Sequence, residues 1–158
     1  GVRETLKKFG ICGTKVIRWE RNFETDQKYK NFKHYDPESL TTVSTHDCES
    51  IKQWWEIEPT EAQEYCALKG REYNRSLNQE QLWEILRDSH QTSSLFHINL
   101  LSEYLALIPG MTSNDFKEER INIPGTISEN NWSYRFIPTV EEIIKNKTLF
   151  TMINSMIE

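Results

Sequence analysis

A histidine and an aspartate stand side by side at the end of a β-branched stretch of the sequence. His46 and Asp47 follow residues 39–45, whose threonines and valine favour an extended strand. In proteins built on parallel strands, the side chains that do chemistry lie just beyond the carboxyl ends of the strands. From that position Asp47 could stabilise a developing positive charge, act as a base or bind a metal ion. Alternatively, it caps the helix predicted over residues 50–56 and has no chemical role.

A metal site is the first alternative, because a His-Asp pair also occurs in metal-dependent phosphohydrolases. Such sites need further histidine and aspartate ligands at their own spacing. The remaining histidines, His34, His90 and His97, are scattered, and none has a ligand partner three or four residues away on a helix. The sequence therefore predicts neither a metal nor another cofactor.

Two further features could contact a hydroxyl-rich ligand. Trp54 and Trp55 suit either a sugar-stacking surface or packing of a helix on a sheet, which is the commoner role of a helical tryptophan. Residues 118–135 collect planar donors and amides around Pro124 and Gly125, and every buried sugar hydroxyl needs such a partner. These side chains are Arg120, Asn122, Asn130, Asn131 and Arg135. The alternative for this segment is a solvated surface loop.

The composition predicts a globular protein of the cytoplasm. Of 158 residues, 37% are hydrophobic and 27% charged, which suits a single domain. The net charge of -5 argues against binding to nucleic acid or to an anionic membrane surface. No apolar run approaches the ~20 residues that span a bilayer. The chain has three cysteines at wide spacing, Cys12, Cys48 and Cys66. An odd number without a pairing pattern predicts free thiols in a reducing compartment.

Helical and extended patterns alternate along the chain. Apolar or β-branched runs predict strands near residues 14–19, 39–45 and 94–100. Helices are predicted over residues 2–9, 50–56, 60–68, 78–90 and 101–107, and a terminal helix over 139–157. Thr60 with Gln63, and Thr139 with Glu142, have the spacing of capping boxes. Residues 21–37 and 109–135 show no period and predict loops.

This alternation predicts an α/β protein with parallel strands. Parallel sheets are normally covered on both faces, and three strands achieve this poorly. A complete eight-stranded α/β barrel needs about 250 residues, more than this chain has. The chain also begins with Gly1 and not with methionine. We therefore expect residues 1–158 to be one piece, the last part of a larger fold.

Four stretches, in this order, resemble the 4-α-glucanotransferases (amylomaltases or disproportionating enzymes) of glycoside hydrolase family 77. They are GICGTKVIRWE, STHDCESIKQWWE, LFHINLLSEYLAL and EERINIPGTISENNWSYR, and together they run across nearly the whole chain. The resemblance implies a decorated (β/α)8 TIM barrel. Our chain would supply its sixth, seventh and eighth strands with their loops, which makes it an incomplete barrel.

The resemblance also implies roles for individual residues. Thr45, His46 and Asp47 match the family's Thr-His-Asp motif, so Asp47 would be the transition-state stabiliser and His46 would bind the sugar next to the scissile bond. Where most bacterial members have asparagine after this motif, the chain has Cys48. Trp54 is a further candidate for substrate binding.

The later motifs of the family match the loop of residues 118–135. Arg120, Asn122 and Pro124 match an Arg-x-Asn-x-Pro-Gly loop near the donor site, which implies substrate binding. Trp132 and Arg135 match an Asn-Trp-x-Tyr/Trp-Arg segment with an implied structural role.

The implied activity is transfer of α-1,4-glucan segments between malto-oligosaccharides, glucose or glycan acceptors by a retaining mechanism. Such chemistry needs two carboxyl groups about 5 Å apart, and the family's Asp nucleophile and Glu acid/base lie upstream of these strands. We therefore expect the chain to be inactive alone. The alternative is a non-catalytic α-glucan-binding or scaffold module. The edges of an incomplete barrel would also favour dimerisation.

Overall fold

A short parallel sheet lies at the centre of the chain, of which the computed structural model describes residues 1–22, 24–26 and 28–157. The strands are β1 (Gly13–Val16), β2 (Ser39–Thr42) and β3 (Phe96–His97), in the order β1-β2-β3. β1 and β2 pair in parallel from Gly13 opposite Ser39 to Val16 opposite Thr42. β3 pairs in parallel with the middle of β2. The predicted parallel sheet is therefore confirmed.

The α-helices of the described residues lie before β1, between β2 and β3, and after β3. They are α1 (Val2–Lys8), α2 (Ile51–Ile57), α3 (Pro59–Leu68), α4 (Gln79–His90), α5 (Leu101–Leu105), α6 (Val140–Lys145) and α7 (Lys147–Ile157). In the described ranges, no helix combines the length and the apolar character that a membrane span requires. Ser50 and Asn78 cap α2 and α4, and the capping box of Thr139 and Glu142 starts α6 as predicted.

The strands lie where the sequence predicts them, but they are shorter. β1 ends at Val16, and Ile17–Trp19 forms a 3-10 turn. The prediction extended the strand to residue 19 because Ile17 and Trp19 are as apolar as strand residues. β2 ends at Thr42 because the next amide, of Val43, donates to the side chain of Asn99 at 2.9 Å and not to a neighbouring strand. The early ends of the strands bring Arg18 and residues 43–49 to one edge of the sheet.

Two predicted helix features are wrong. The capping box of Thr60 and Gln63 does not form, since α3 already starts at Pro59, which has no amide hydrogen to cap. The terminal helix is two helices, because the chain breaks at Asn146, whose side chain accepts from the amide of Leu149 and so starts α7.

The hydrophobic core fills the space between the sheet and its helices. Trp54 and Trp55 of α2 are 3% and 1% exposed, and they pack edge to face with ring centroids 5.9 Å apart. Within the predicted loop over residues 21–37, Tyr29 and Tyr35 contribute buried rings to this core. The core thus anchors α2, the helix that follows His46 and Asp47.

Hydroxyl groups tie β2 to the segment before β3. Thr41, fully buried, lies 2.7 Å from the hydroxyl of Ser94 and 3.0 Å from that of Thr92. Ser39 lies 2.6 Å from the same Ser94 hydroxyl. Because each buried hydroxyl has a partner, this polar layer supports the two-residue strand β3 without a large desolvation cost.

Candidate functional site

A tight turn after β2 presents His46 and Asp47. The amide of Cys48 donates to the carbonyl oxygen of Thr45 at 3.2 Å, and the amide of Thr45 donates to the Cys48 sulfur at 3.0 Å. The thiol of Cys48 therefore closes the turn. Both side chains at its tip, His46 and Asp47, are about half exposed, at 51% and 48%.

The Asp47 carboxylate is held from one side and open on the other. Asn122 Nδ2 donates to Asp47 Oδ1 at 2.7 Å, and His46 Nε2 lies 3.3 Å from Asp47 Oδ2. The backbone of Asn122 also donates to the carbonyl of His46 at 3.1 Å. The helix-capping alternative is excluded, because the side chain of Ser50 caps α2 by accepting from Gln53. Asp47 is thus an oriented, accessible carboxylate.

Arg120 uses its guanidinium group to fix the polypeptide around Asp47. Its Nη2 donates to the carbonyl of Asp47 at 3.2 Å, and its Nε donates to the carbonyl of Asn122 at 3.0 Å. Its Nη1 forms an ion pair with Glu49 at 3.0 Å. The side chain is 13% exposed, so these protein contacts occupy most of the group. Arg120 therefore supports the site more than it faces the solvent.

Glu49 links the site to the end of β1. Its second carboxylate oxygen pairs with Arg18 at 2.9 Å, and the Arg18 side chain is 5% exposed. Partial burial raises the pKa of Glu49, but its hydrogen bonds and the two arginines outweigh burial, and the net pKa is lowered. Glu49 therefore stays ionised between the two cations and ties three segments together.

A buried carboxyl group lies behind the turn. Glu103 of α5 is 2% exposed, accepts from the Ser44 hydroxyl at 2.5 Å and accepts from the amide of Ile51 at 3.1 Å. Burial raises the pKa of Glu103 to about 7, although both hydrogen bonds favour the ionised form. Glu103 joins the two ends of the segment that carries His46 and Asp47. Nothing in the sequence pattern singles out this residue.

Trp132, to which the resemblance gives only a structural role, lies beside His46. Its indole is 62% exposed and its ring centroid lies 5.2 Å from that of His46. Its backbone has a φ of 65°, which is strained for a residue other than glycine. Hydrogen bonds hold this conformation, since the amide of Trp132 donates to the carbonyl of Ile121 at 2.8 Å. The loop thus places an accessible aromatic ring beside His46 and Asp47.

The rest of this loop shapes a cavity next to the site. Pro124 and Gly125 occupy the corner of a turn in which the amide of Thr126 donates to the carbonyl of Ile123 at 3.3 Å, and Gly125 has the φ of 75° that favours glycine. Pro124 itself is exposed. A cavity of about 500 Å³ follows, whose polar lining includes Arg120, Asn130, Asn131, Tyr134 and Arg135.

The prediction that Trp54 binds substrate is wrong. Its side chain is 3% exposed, and its indole nitrogen donates to Glu61 at 2.8 Å inside the helical layer. A ligand at Asp47 cannot reach it, because α2 turns this face toward the core. The structure therefore brings together His46, Asp47, Arg120 and Asn122, and it places Trp54 elsewhere. In the described part of the chain, no three or more His, Cys, Asp or Glu side chains form a group that could hold a metal ion.

Comparison with known proteins relates this site to one family. The sequence model of glycoside hydrolase family 77, described as 4-alpha-glucanotransferase, matches residues 1–139. A 4-alpha-glucanotransferase of Chlamydia caviae is 50% identical over 143 residues, which cover 90% of this chain and 27% of that protein. The chain therefore spans little more than a quarter of the length of the curated relatives it matches.

Solved structures share the fold at lower identity. An amylomaltase from Corynebacterium glutamicum superposes with a TM-score of 0.72 and 19% identity, over 99% of this chain and 27% of that one. An amylomaltase from Streptococcus agalactiae in complex with acarbose gives 0.66 and 20%, over 98% and 28%. The predicted fold class, part of a TIM barrel with parallel strands and helices, is confirmed.

Replacing Glu103 by glutamine should weaken the pH dependence of stability. Folding favours the protonated carboxyl, so its contribution is complete below its ordinary pKa of 4.5 and is lost as the pH rises through about 7. The change is on the order of 3 kcal/mol. We expect the midpoint of urea unfolding, followed by tryptophan fluorescence, to fall less for Glu103→Gln than for the parent between about pH 5 and pH 8.

The matched control is Glu118→Gln, which changes an exposed glutamate of the same loop that carries Arg120. It should keep the parental pH dependence. If Glu103→Gln and Glu118→Gln both followed the parent across this range, burial would not perturb Glu103 in the way described.

Proposed function

This chain belongs to the 4-alpha-glucanotransferase family, and we propose that it supplies the C-terminal strands of an enzyme that transfers α-1,4-glucan segments to malto-oligosaccharides, glucose or glycan acceptors. The observation that carries the proposal is the Asp47 carboxylate beyond the end of a parallel strand. Asn122 orients it at 2.7 Å, and half of it remains accessible. A fixed negative charge at such an edge is suited to a cationic transition state.

In the proposed mechanism Asp47 stabilises the oxocarbenium-like charge that develops when an α-1,4 bond breaks. A retaining reaction also needs a nucleophile and an acid/base about 5 Å apart, and we assign these to an aspartate and a glutamate of the preceding strands. The 158-residue chain alone is then inactive, because stabilisation of charge cannot replace the reacting groups. No cofactor takes part.

Substrate contacts are assigned from exposure and from free hydrogen-bonding directions. His46 and Asp47 face the open side of the site and would bind the sugar nearest the scissile bond. Arg120 and Asn122 hold Asp47 from the opposite side, so we assign them to substrate binding chiefly through the position they give to Asp47. Pro124 acts through the shape of its turn. The structural neighbour from Streptococcus agalactiae is an amylomaltase in complex with acarbose, which supports a ligand of that kind for the full-length protein.

Trp132 adds an aromatic surface to this proposed sugar site. Pyranose rings present C–H groups that pack on aromatic faces, while their hydroxyls form hydrogen bonds with neighbouring polar groups. Trp132 supplies the aromatic face, and His46 beside it supplies a polar group. The backbone strain at Trp132 supports the same assignment, because strained residues cluster at functional sites.

The wider setting is also part of the proposal. The free cysteines Cys12, Cys48 and Cys66 support a cytoplasmic location.

Apolar side chains such as Phe96 and Ile98 are exposed near the β3 edge, and the remaining barrel strands, or a second copy of an isolated piece, would cover them. A glucan-binding module without activity is the second candidate, since the same exposed ring and carboxylate could bind sugar alone.

Replacing Asp47 by asparagine tests the catalytic assignment. In the full-length enzyme, kcat/KM for disproportionation of maltotriose should fall by about 10²–10³, because one preorganised charge is lost at the transition state. Thermal unfolding should be nearly unchanged, since the side chain is exposed. Glucose release gives the rate.

Asp26→Asn, at an exposed aspartate of the loop after β1, is the matched control and should keep full activity. An Asp47→Asn enzyme within twofold of the parent would disprove the assignment. Sugar binding without any transfer activity in the full-length parent would favour the binding module.

Trp132 substitutions separate a sugar-binding role from a structural one. Glycine tolerates the φ of 65°, so Trp132→Gly should keep or improve stability while KM for maltotriose rises about tenfold. Trp132→Phe should keep most of the affinity because it retains an aromatic face. Ile127→Ala, which truncates a fully exposed side chain in the same loop, is the control. An unchanged KM for Trp132→Gly would show that the ring does not touch the sugar.

A further inference from the structure

A second cavity, of about 420 Å³, lies between α1, the later part of β1 with the segment that follows it, and the segment before β2. It is lined by Arg3, Lys7, Lys15, Glu20, Lys30, His34, Tyr35, Asp36 and Pro37, and we call it the basic cavity. Within the described residues, no member of this lining belongs to the group around Asp47. With His34 neutral, four cations and two carboxylates give a local charge of +2, in a chain whose net charge is -5.

The cations of the basic cavity converge on a single carboxylate. Lys15 Nζ and Lys30 Nζ lie 3.5 and 3.2 Å from Glu20 Oε2, and Arg3 Nη2 lies 3.4 Å from Glu20 Oε1. The Glu20 side chain is only 8% exposed. Glu20 and Asp36 leave two of the four positive charges in the lining unmatched. The side chains of Arg3 and Lys30 are 75% and 43% exposed, so an anion from solvent can reach them.

Lys15 makes this surplus unusual. Its side chain is 9% exposed, whereas lysines of a solvated surface extend their ammonium groups into water. The Lys15 ammonium lies 5.3 Å from the centre of the Tyr35 ring, which adds a cation–π contact but no negative charge. A partly desolvated ammonium that shares one carboxylate with two other cations favours a further anion.

We propose that the basic cavity binds the phosphate group of a small ligand, either free phosphate or a phosphorylated monosaccharide. Lysine ammonium and arginine guanidinium groups are the donors that proteins use for phosphate oxygens. Lys15, Lys30 and, from α1, Arg3 supply three such donors to the lining. Tyr35 is buried behind Lys15, and the exposed ring of Pro37 is the apolar surface of the lining that a sugar can contact.

The test is a binding titration of the full-length protein with inorganic phosphate and, separately, with glucose 6-phosphate. Each titration is followed by isothermal calorimetry and repeated with sodium chloride at the same ionic strength, which separates specific binding of phosphate from general screening of the charges. We expect saturable binding. Lys15→Met, which keeps the buried aliphatic stem, and Lys30→Gln should each weaken it about tenfold. Tighter binding of glucose 6-phosphate than of phosphate would identify the phosphorylated sugar as the ligand.

Lys33→Gln is the matched control, because Lys33 is an exposed lysine of the same 3-10 turn as His34 but lies outside the lining. It should bind phosphate like the parent. No saturable heat with either probe, or equal affinities in the Lys15, Lys30 and Lys33 variants, would overturn the proposal. Asp47→Asn should leave phosphate binding intact, so this result is independent of the glucanotransferase assignment.

Discussion

The carboxylate of Glu49 lies between two guanidinium groups that reach it from different parts of the chain. Arg18 comes from the end of β1, and Arg120 comes from the long loop after α5. The pair with Arg18 is largely buried, so breaking it would leave a charge without a partner at considerable cost. This bridge fixes the distance between two strand ends and the loop, and the geometry of Asp47 depends on that distance.

The site therefore has a rigid back and an open front. At the back, Glu103 accepts hydrogen bonds from Ser44 and Ile51 on either side of the turn. The backbone carbonyl of Asn122 accepts a hydrogen bond from Nε of Arg120. At the front, half of His46, half of Asp47 and most of Trp132 are accessible. Preorganised charge beside an accessible surface is the arrangement that electrostatic catalysis requires, since the groups need not reorganise when the reaction occurs.

Sequence reasoning located the accessible carboxylate of Asp47 but not the residues that support it. Asp47 was predictable because it follows a β-branched run, and the positions of all three strands followed from the same patterns. Trp54 was wrongly placed in the site, because the pattern of α2 does not tell which tryptophan face meets the core. Glu103 and Trp132 were missed for a common reason: burial of a helical glutamate and a positive φ in a loop result from tertiary contacts that leave no local signal.

The most direct test of the account is a double-mutant cycle between Glu49 and Asp47 in the full-length enzyme, with kcat/KM for maltotriose as the readout. If Glu49 acts by positioning Asp47, Glu49→Gln should lower kcat/KM in the parent but have almost no further effect beside Asp47→Asn. If Glu49→Gln lowered kcat/KM by the same factor in both backgrounds, the bridge would not position Asp47, and the central claim would be wrong.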